Sequence, residues 1–138
     1  MTAKEYLGQA YRLDRRIDSK IGQVASLNAL ATKCTTTVTG MPHNPAKSVS
    51  SMEDVIVKII DLKDEINRDI DALIDLKREI VGVIKAVENP EYQTLLELRY
   101  LCFKSWEEIS VDMGYGIDNV FCLHRKALEK VKIPETLQ

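Results

Sequence analysis

The chain has 138 residues, of which 45% are hydrophobic, 29% charged and 6% aromatic. That is the profile of one small folded domain, or of two modules sharing a core, and it excludes a disordered chain. With 21 acidic residues against 19 basic ones the net charge is −2, which excludes nucleic-acid binding driven by bulk charge and leaves only a local basic face to do it.

Cys34, Cys102 and Cys122 are odd in number, far apart and without a Cys-x-x-Cys spacing. They predict neither a disulfide framework nor a zinc site, and they fit a reducing cytoplasm. The N-terminus is charged throughout, and no stretch approaches the roughly 20 uninterrupted apolar residues of a membrane span, so a soluble chain without a membrane partner is expected.

From the N-terminus, Thr2 stands three places before Glu5, the spacing of a capping box, and no proline follows before Pro42. Tyr6, Ala10, Leu13, Ile17, Ile21, Val24, Leu27, Ala31 and Cys34 recur in steps of three or four, which predicts one apolar stripe along a helix about 50 Å long. Lys4, Arg12, Arg15, Arg16, Lys20 and Lys33 outnumber Glu5, Asp14 and Asp18 on the rest of its surface. The periodicity stops at Thr35, and Gly40, Pro42 and Pro45 predict a loop over 35–50.

A second helix is expected from Ser51, with Glu53 and Asp54 in its first turn. Its stripe runs through Val55, Ile59, Leu62, Ile66, Ile70, Leu73, Leu76, Ile80, Ile84 and Val87. Ten acidic residues against six basic ones complement the first helix, so an antiparallel, coiled-coil-like hairpin is predicted over 1–88, with Arg12, Arg15, Arg16 and Lys20 read as a solvated face set against the acidic partner in preference to a phosphate-binding strip. A further apolar line, Ile56, Ile60, Ile74, Val81 and Val83, exceeds what one partner helix covers. Either a second copy of the chain, giving a homodimer, or the C-terminal module has to cover it.

The remainder, 89–138, divides into three short helices. Asn89 and Pro90 begin the first, which presents Leu95 and Leu98 inward. Ser105 caps the second with Glu108 as its partner, and Gly114 stops it. The third begins near Ile117 and carries Val120, Leu123, Ala127, Leu128 and Val131 on one side. Two helices joined by a tight glycine turn make a helix-turn-helix, and the fold class is therefore all-α.

The succession LLELRY, SWEEISVDMG and IDNVFCLHRKALEKV resembles region four of bacterial sigma factors over about 42 residues. The whole chain is similar to a family of small phage and prophage proteins of Gram-positive bacteria, akin to the ArpU-type late-gene transcription regulators. That resemblance implies a DNA-binding regulator in the cytoplasm of a bacterial host, with Ser105 to Met113 as supporting helix and Ile117 to Val131 as recognition helix. It assigns Ile117, Asp118, Asn119, Phe121, Cys122, Arg125, Lys126 and Lys130 to the DNA-facing side. Gly116 stands where such modules carry a Ser or Thr cap, and Asp118 and Phe121 where a basic or small polar residue would suit phosphates and base edges.

His124, Arg125, Lys126, Lys130 and Lys132 form the one basic cluster of 89–138, a segment with eight acids against six bases. Trp106, one place after the cap, either covers the core of the module or presents an exposed anchor to a partner, and the core is the better reading. No Ser or Cys is set for a nucleophile and base pair with His43 or His124, and the acids of the second helix are spaced like a solvated face. No catalysis, cofactor, metal or small-molecule substrate is expected. Two functions remain: a promoter-binding regulator, or a protein-binding module, with RNA polymerase as one partner, that keeps the helix-turn-helix without reading DNA.

Overall fold

The computed structural model describes residues 1–40 and 45–134, with side chains described over 1–33 and 52–134. The elements are α1 (Ala3–Gly40), α2 (Pro45–Lys85), α3 (Pro90–Leu96) running into a π-helical stretch (Glu97–Leu101), α4 (Trp106–Met113) and α5 (Ile117–Glu129). The described residues contain no strand, and the chain is all-α.

The caps read from the sequence are present. The backbone N–H of Glu5 donates to the Thr2 hydroxyl at 3.2 Å and that of Thr2 to the Glu5 carboxylate at 3.1 Å. Asn89 accepts from the Glu91 N–H at 2.9 Å, and Ser105 from the Glu108 N–H at 3.2 Å. Each satisfies one of the donors that a helix start leaves open. Gly114, at φ 73°, closes α4 in the left-handed region, where a Cβ is strained.

The loop predicted over 35–50 is corrected at both ends. Helix α1 continues to Gly40 and α2 begins at Pro45, so of that stretch 41–44 lies outside the described residues. Proline in a first helical turn forfeits no hydrogen bond, because that N–H has no partner within the helix in any case. Pro45 therefore starts a helix where the sequence suggested a turn, and Ser51 lies inside α2.

Two compact units emerge, and they divide the chain differently from a hairpin followed by a module. One joins Met1–Asp14 to the chain from Ala72 onward; the other is Arg15–Asp71. In the second, Ile17, Ile59, Leu62 and Ile66 are buried, and Lys20 reaches Asp69 at 2.7 Å and Glu65 at 3.4 Å while Arg16 reaches Asp69 at 3.8 Å. This pairing runs antiparallel, since the step from Arg16 to Lys20 on α1 matches the step from Asp69 back to Glu65 on α2, and it sets bases of α1 against acids of α2. The Lys20 ammonium bonded to it holds the Asp69 carboxyl below the usual carboxylate range.

In the first unit, Tyr6, Leu7 and Ala10 of α1 pack with Ile80, Ile84 and Val87, with Leu96 and Tyr100, and with Ala127 of α5. A smaller core of Leu95, Ile109 and Val120 holds α3, α4 and α5 together. The neighbours Leu95 and Leu96 thus feed different cores, which explains why α3 is apolar on two sides. Val131 lies beyond the end of α5 and packs against the larger core.

The further apolar line of α2 divides. Val83 packs on the larger core and Val81 is half-buried, whereas Ile56, Ile60 and Ile74 remain 45, 53 and 50% exposed. No helix among the described residues is long and apolar enough to cross a membrane.

Candidate nucleic-acid interface

Helices α4 and α5 are joined by a short turn of Gly114, Tyr115 and Gly116. Helix α5 is strongly one-sided. Val120, His124 and Ala127 are buried, and at about 100° per residue the opposite side presents, in angular order, Phe121, Arg125, Asp118, Glu129, Cys122, Lys126 and Asn119. All of these are exposed except Cys122, which is half-buried. Ile117 and Lys130 are exposed as well, and every residue assigned to the DNA-facing side therefore lies at the surface of one helix or just past its end.

Lys130 differs in surroundings. It is the C-cap of α5, and with Lys132 it lines a cleft of about 390 Å³ whose other walls include Glu88, Asn89 and Tyr92. It stands on the far side of α5 from Phe121.

His124 is corrected. The sequence placed it in the basic cluster, but its side chain is buried, with its Nε2 hydrogen-bonded to the Tyr100 hydroxyl at 2.6 Å and its ring 4.6 Å from Trp106, edge-on. Burial, reinforced by the charges of Lys4 and Arg99, pushes its pKa down to about 4, so the imidazole is neutral at pH 7. Burial likewise raises Tyr100 to about 12. The signal for this was in the sequence, since position 124 is four after Val120 and three before Ala127 and so shares their face.

Trp106 is half-buried rather than fully in the core. Its ring meets Phe121 edge-on at 5.2 Å, and the Arg99 guanidinium lies 4.3 Å above it. Arg12 is also corrected: it was set against the acidic second helix, but its Nη2 donates to the carbonyl of Glu5 on its own helix at 3.3 Å. Gly116, in extended conformation, opens α5 with no side-chain cap. Cys102 and Cys122 are free thiols, and among the described residues no three His, Cys, Asp or Glu side chains gather as a metal site would require.

Residues 46–132 match the family described as protein of unknown function (DUF1492). The chain belongs to this family. No curated protein and no solved structure matches the chain. The DUF1492 segment contains all of α3, α4 and α5 and nearly all of α2, while α1, with Lys4 and Arg12, lies outside it.

Proposed function

We propose that this DUF1492 protein is a transcription regulator of the phage and prophage type, entering the major groove of promoter DNA with α5 inside a bacterial cell. The observation that carries this reading is the one-sidedness of α5: a buried face fixed by Val120, His124 and Ala127, and an open side holding Arg125, Lys126 and Asn119 on a helix pair closed by Gly114. A helix of that kind fits the groove, and Arg or Lys to guanine O6 and N7, or Asn to adenine, is the common base contact. Phe121 and Ile117 would supply apolar contact to thymine methyls. The likeness of 89–138 to sigma region four supports the same assignment.

A mobility-shift titration of the parent and of Arg125→Ala/Lys126→Ala against phage genomic fragments, at two salt concentrations, tests it. The parent should bind, more weakly at higher salt. The double variant should lose about 1–3 kcal/mol for each base contact, or have a salt slope lower by about one for each phosphate contact. A folded double variant that binds as tightly as the parent removes α5 as the reader.

A second reading draws on the eight acids against six bases of 89–138 and on Val111, which is 80% exposed on α4. In it the module binds a protein such as RNA polymerase and never approaches a polyanion. A parent without salt-sensitive DNA affinity would favour it. In both readings Ile56, Val57 and Ile60, each about half exposed, serve a homodimer through the helical hairpin. No enzymatic role, cofactor or membrane partner is proposed.

A further inference from the structure

Within the compact unit that contains α5, the first turns of α1 and the chain leaving the π-helical stretch enclose an open cleft of about 290 Å³. Its cations are Lys4, Arg12 and Arg99, and its aromatic walls include Tyr11, Phe103 and Trp106. Among the described lining residues Glu5 is the one acid, and its carboxylate already accepts the Thr2 N–H. Arg12 and Arg99 donate to backbone carbonyls, of Glu5 and of Lys104, which leaves their charges uncompensated. Among the described residues no carboxylate forms an ion pair with any of the three.

Phe103 holds φ at 58°, a left-handed conformation that is unfavourable for a bulky side chain and recurs where a site is over-determined by its surroundings. There it meets Tyr11 edge-on at 5.6 Å.

The cleft is continuous with α5. Arg99 stacks on Trp106, and Trp106 meets Phe121, which begins the open arc that continues to Arg125. The charges of Lys4 and Arg99 are both felt at His124, in the middle of α5. Lys4 and Arg12 of α1 therefore bring positive charge, from outside the DUF1492 segment, to a cleft that shares Trp106 with α5.

We propose that this cleft is a phosphate clamp for the DNA whose groove α5 enters, with Lys4 and Arg12 of α1 binding the sugar-phosphate backbone beside Arg99. The inference rests on the DNA-binding reading and adds to it a contact made by another helix. An extended polyanion suits the site because the cleft is open and one of its walls, Trp106, meets Phe121 of α5, so that a strand lying along α5 passes its mouth. It also accounts for how a segment with an excess of acid approaches DNA: part of the neutralising charge comes from α1.

The test titrates the full chain into a fluorescein-labelled duplex of mixed sequence by anisotropy, from about 50 to about 200 mM salt, since phosphate contacts are independent of sequence and are read as a salt slope. Lys4→Gln/Arg12→Gln should lower the slope by about 1.8, equivalent to roughly 60-fold weaker binding at about 0.1 M salt for affinities that converge near 1 M. Circular dichroism should not change, because both side chains are exposed. A slope equal to the parent's, alongside a reduced one for Arg125→Ala/Lys126→Ala, overturns the clamp and leaves α5 as the reader. A parent without a salt slope overturns both. Saturable quenching of Trp106 by adenosine monophosphate that the duplex does not displace would give the cleft to a free nucleotide and overturn the clamp.

Discussion

Acidification should destabilise the compact unit that contains α5 through a single imidazole. His124 protonates at about 4 in the folded chain because its burial beside Tyr100 and Trp106 penalises the charged form, against 6.5 for a free histidine. Between those values the unfolded chain binds more protons than the folded one, so stability rises with pH and is lost as pH falls below 6.5. At pH 5 the protonation of the unfolded imidazole exceeds that of the folded one by a factor of about 30 in the binding polynomial, which is about 2 kcal/mol; the limiting loss below pH 4 is about 3 kcal/mol. Against a total stability of roughly 5–15 kcal/mol that is a large fraction. Asp69, whose folded pKa is depressed, destabilises only on descent through its own folded value, below 3.8, outside this window. Urea unfolding followed by Trp106 fluorescence, at pH 7 and pH 5, should show the parent losing about 2 kcal/mol more than His124→Gln, which lacks the titration. Parallel pH profiles for the two proteins, or a His124 ring resonance titrating near 6.5, would refute the reasoning.

The two glycines of the turn should respond oppositely. Gly114→Ala should cost about 1 kcal/mol from backbone strain alone, since no atom lies within 4 Å of the added Cβ, whereas Gly116→Ser should gain a few tenths of a kcal/mol by capping α5; thermal unfolding reads both. In light scattering at micromolar concentration the parent should have the mass of a dimer, and Ile56→Lys/Ile60→Lys that of a single chain with unchanged helicity.

What the sequence made legible was decided by neighbours along the chain. Thr2 with Glu5, Asn89 with Glu91, and Ser105 with Glu108 are bonds across two or three residues, and the left-handed stop at Gly114 needs only its own missing Cβ. The exposed side of α5 was legible for the same reason, because helical phase fixes which residues oppose Val120 and Ala127. Pro45 misled because a proline that breaks a helix interior and one that opens a helix look alike in isolation. His124 was misplaced by reading it with Arg125 and Lys126, its neighbours in sequence, and not with Val120, its neighbour in phase. The union of Met1–Asp14 with the C-terminal helices had no local signal at all: Leu7 and Leu96 are simply apolar until they join one core with Tyr100 and Ala127. The cleft of Lys4, Arg12 and Arg99 follows from that union and was invisible for the same reason.

The most direct test of the central claim is a map of amide and side-chain chemical-shift changes on the full-length chain as a DNA duplex bearing its binding fragment is added. The account predicts changes concentrated at Asn119, Phe121, Arg125 and Lys126 of α5, growing saturably and shrinking as salt is raised. Changes absent from α5, with Ile56 and Ile60 of α2 or Val111 of α4 responding instead to an added protein partner, would contradict it.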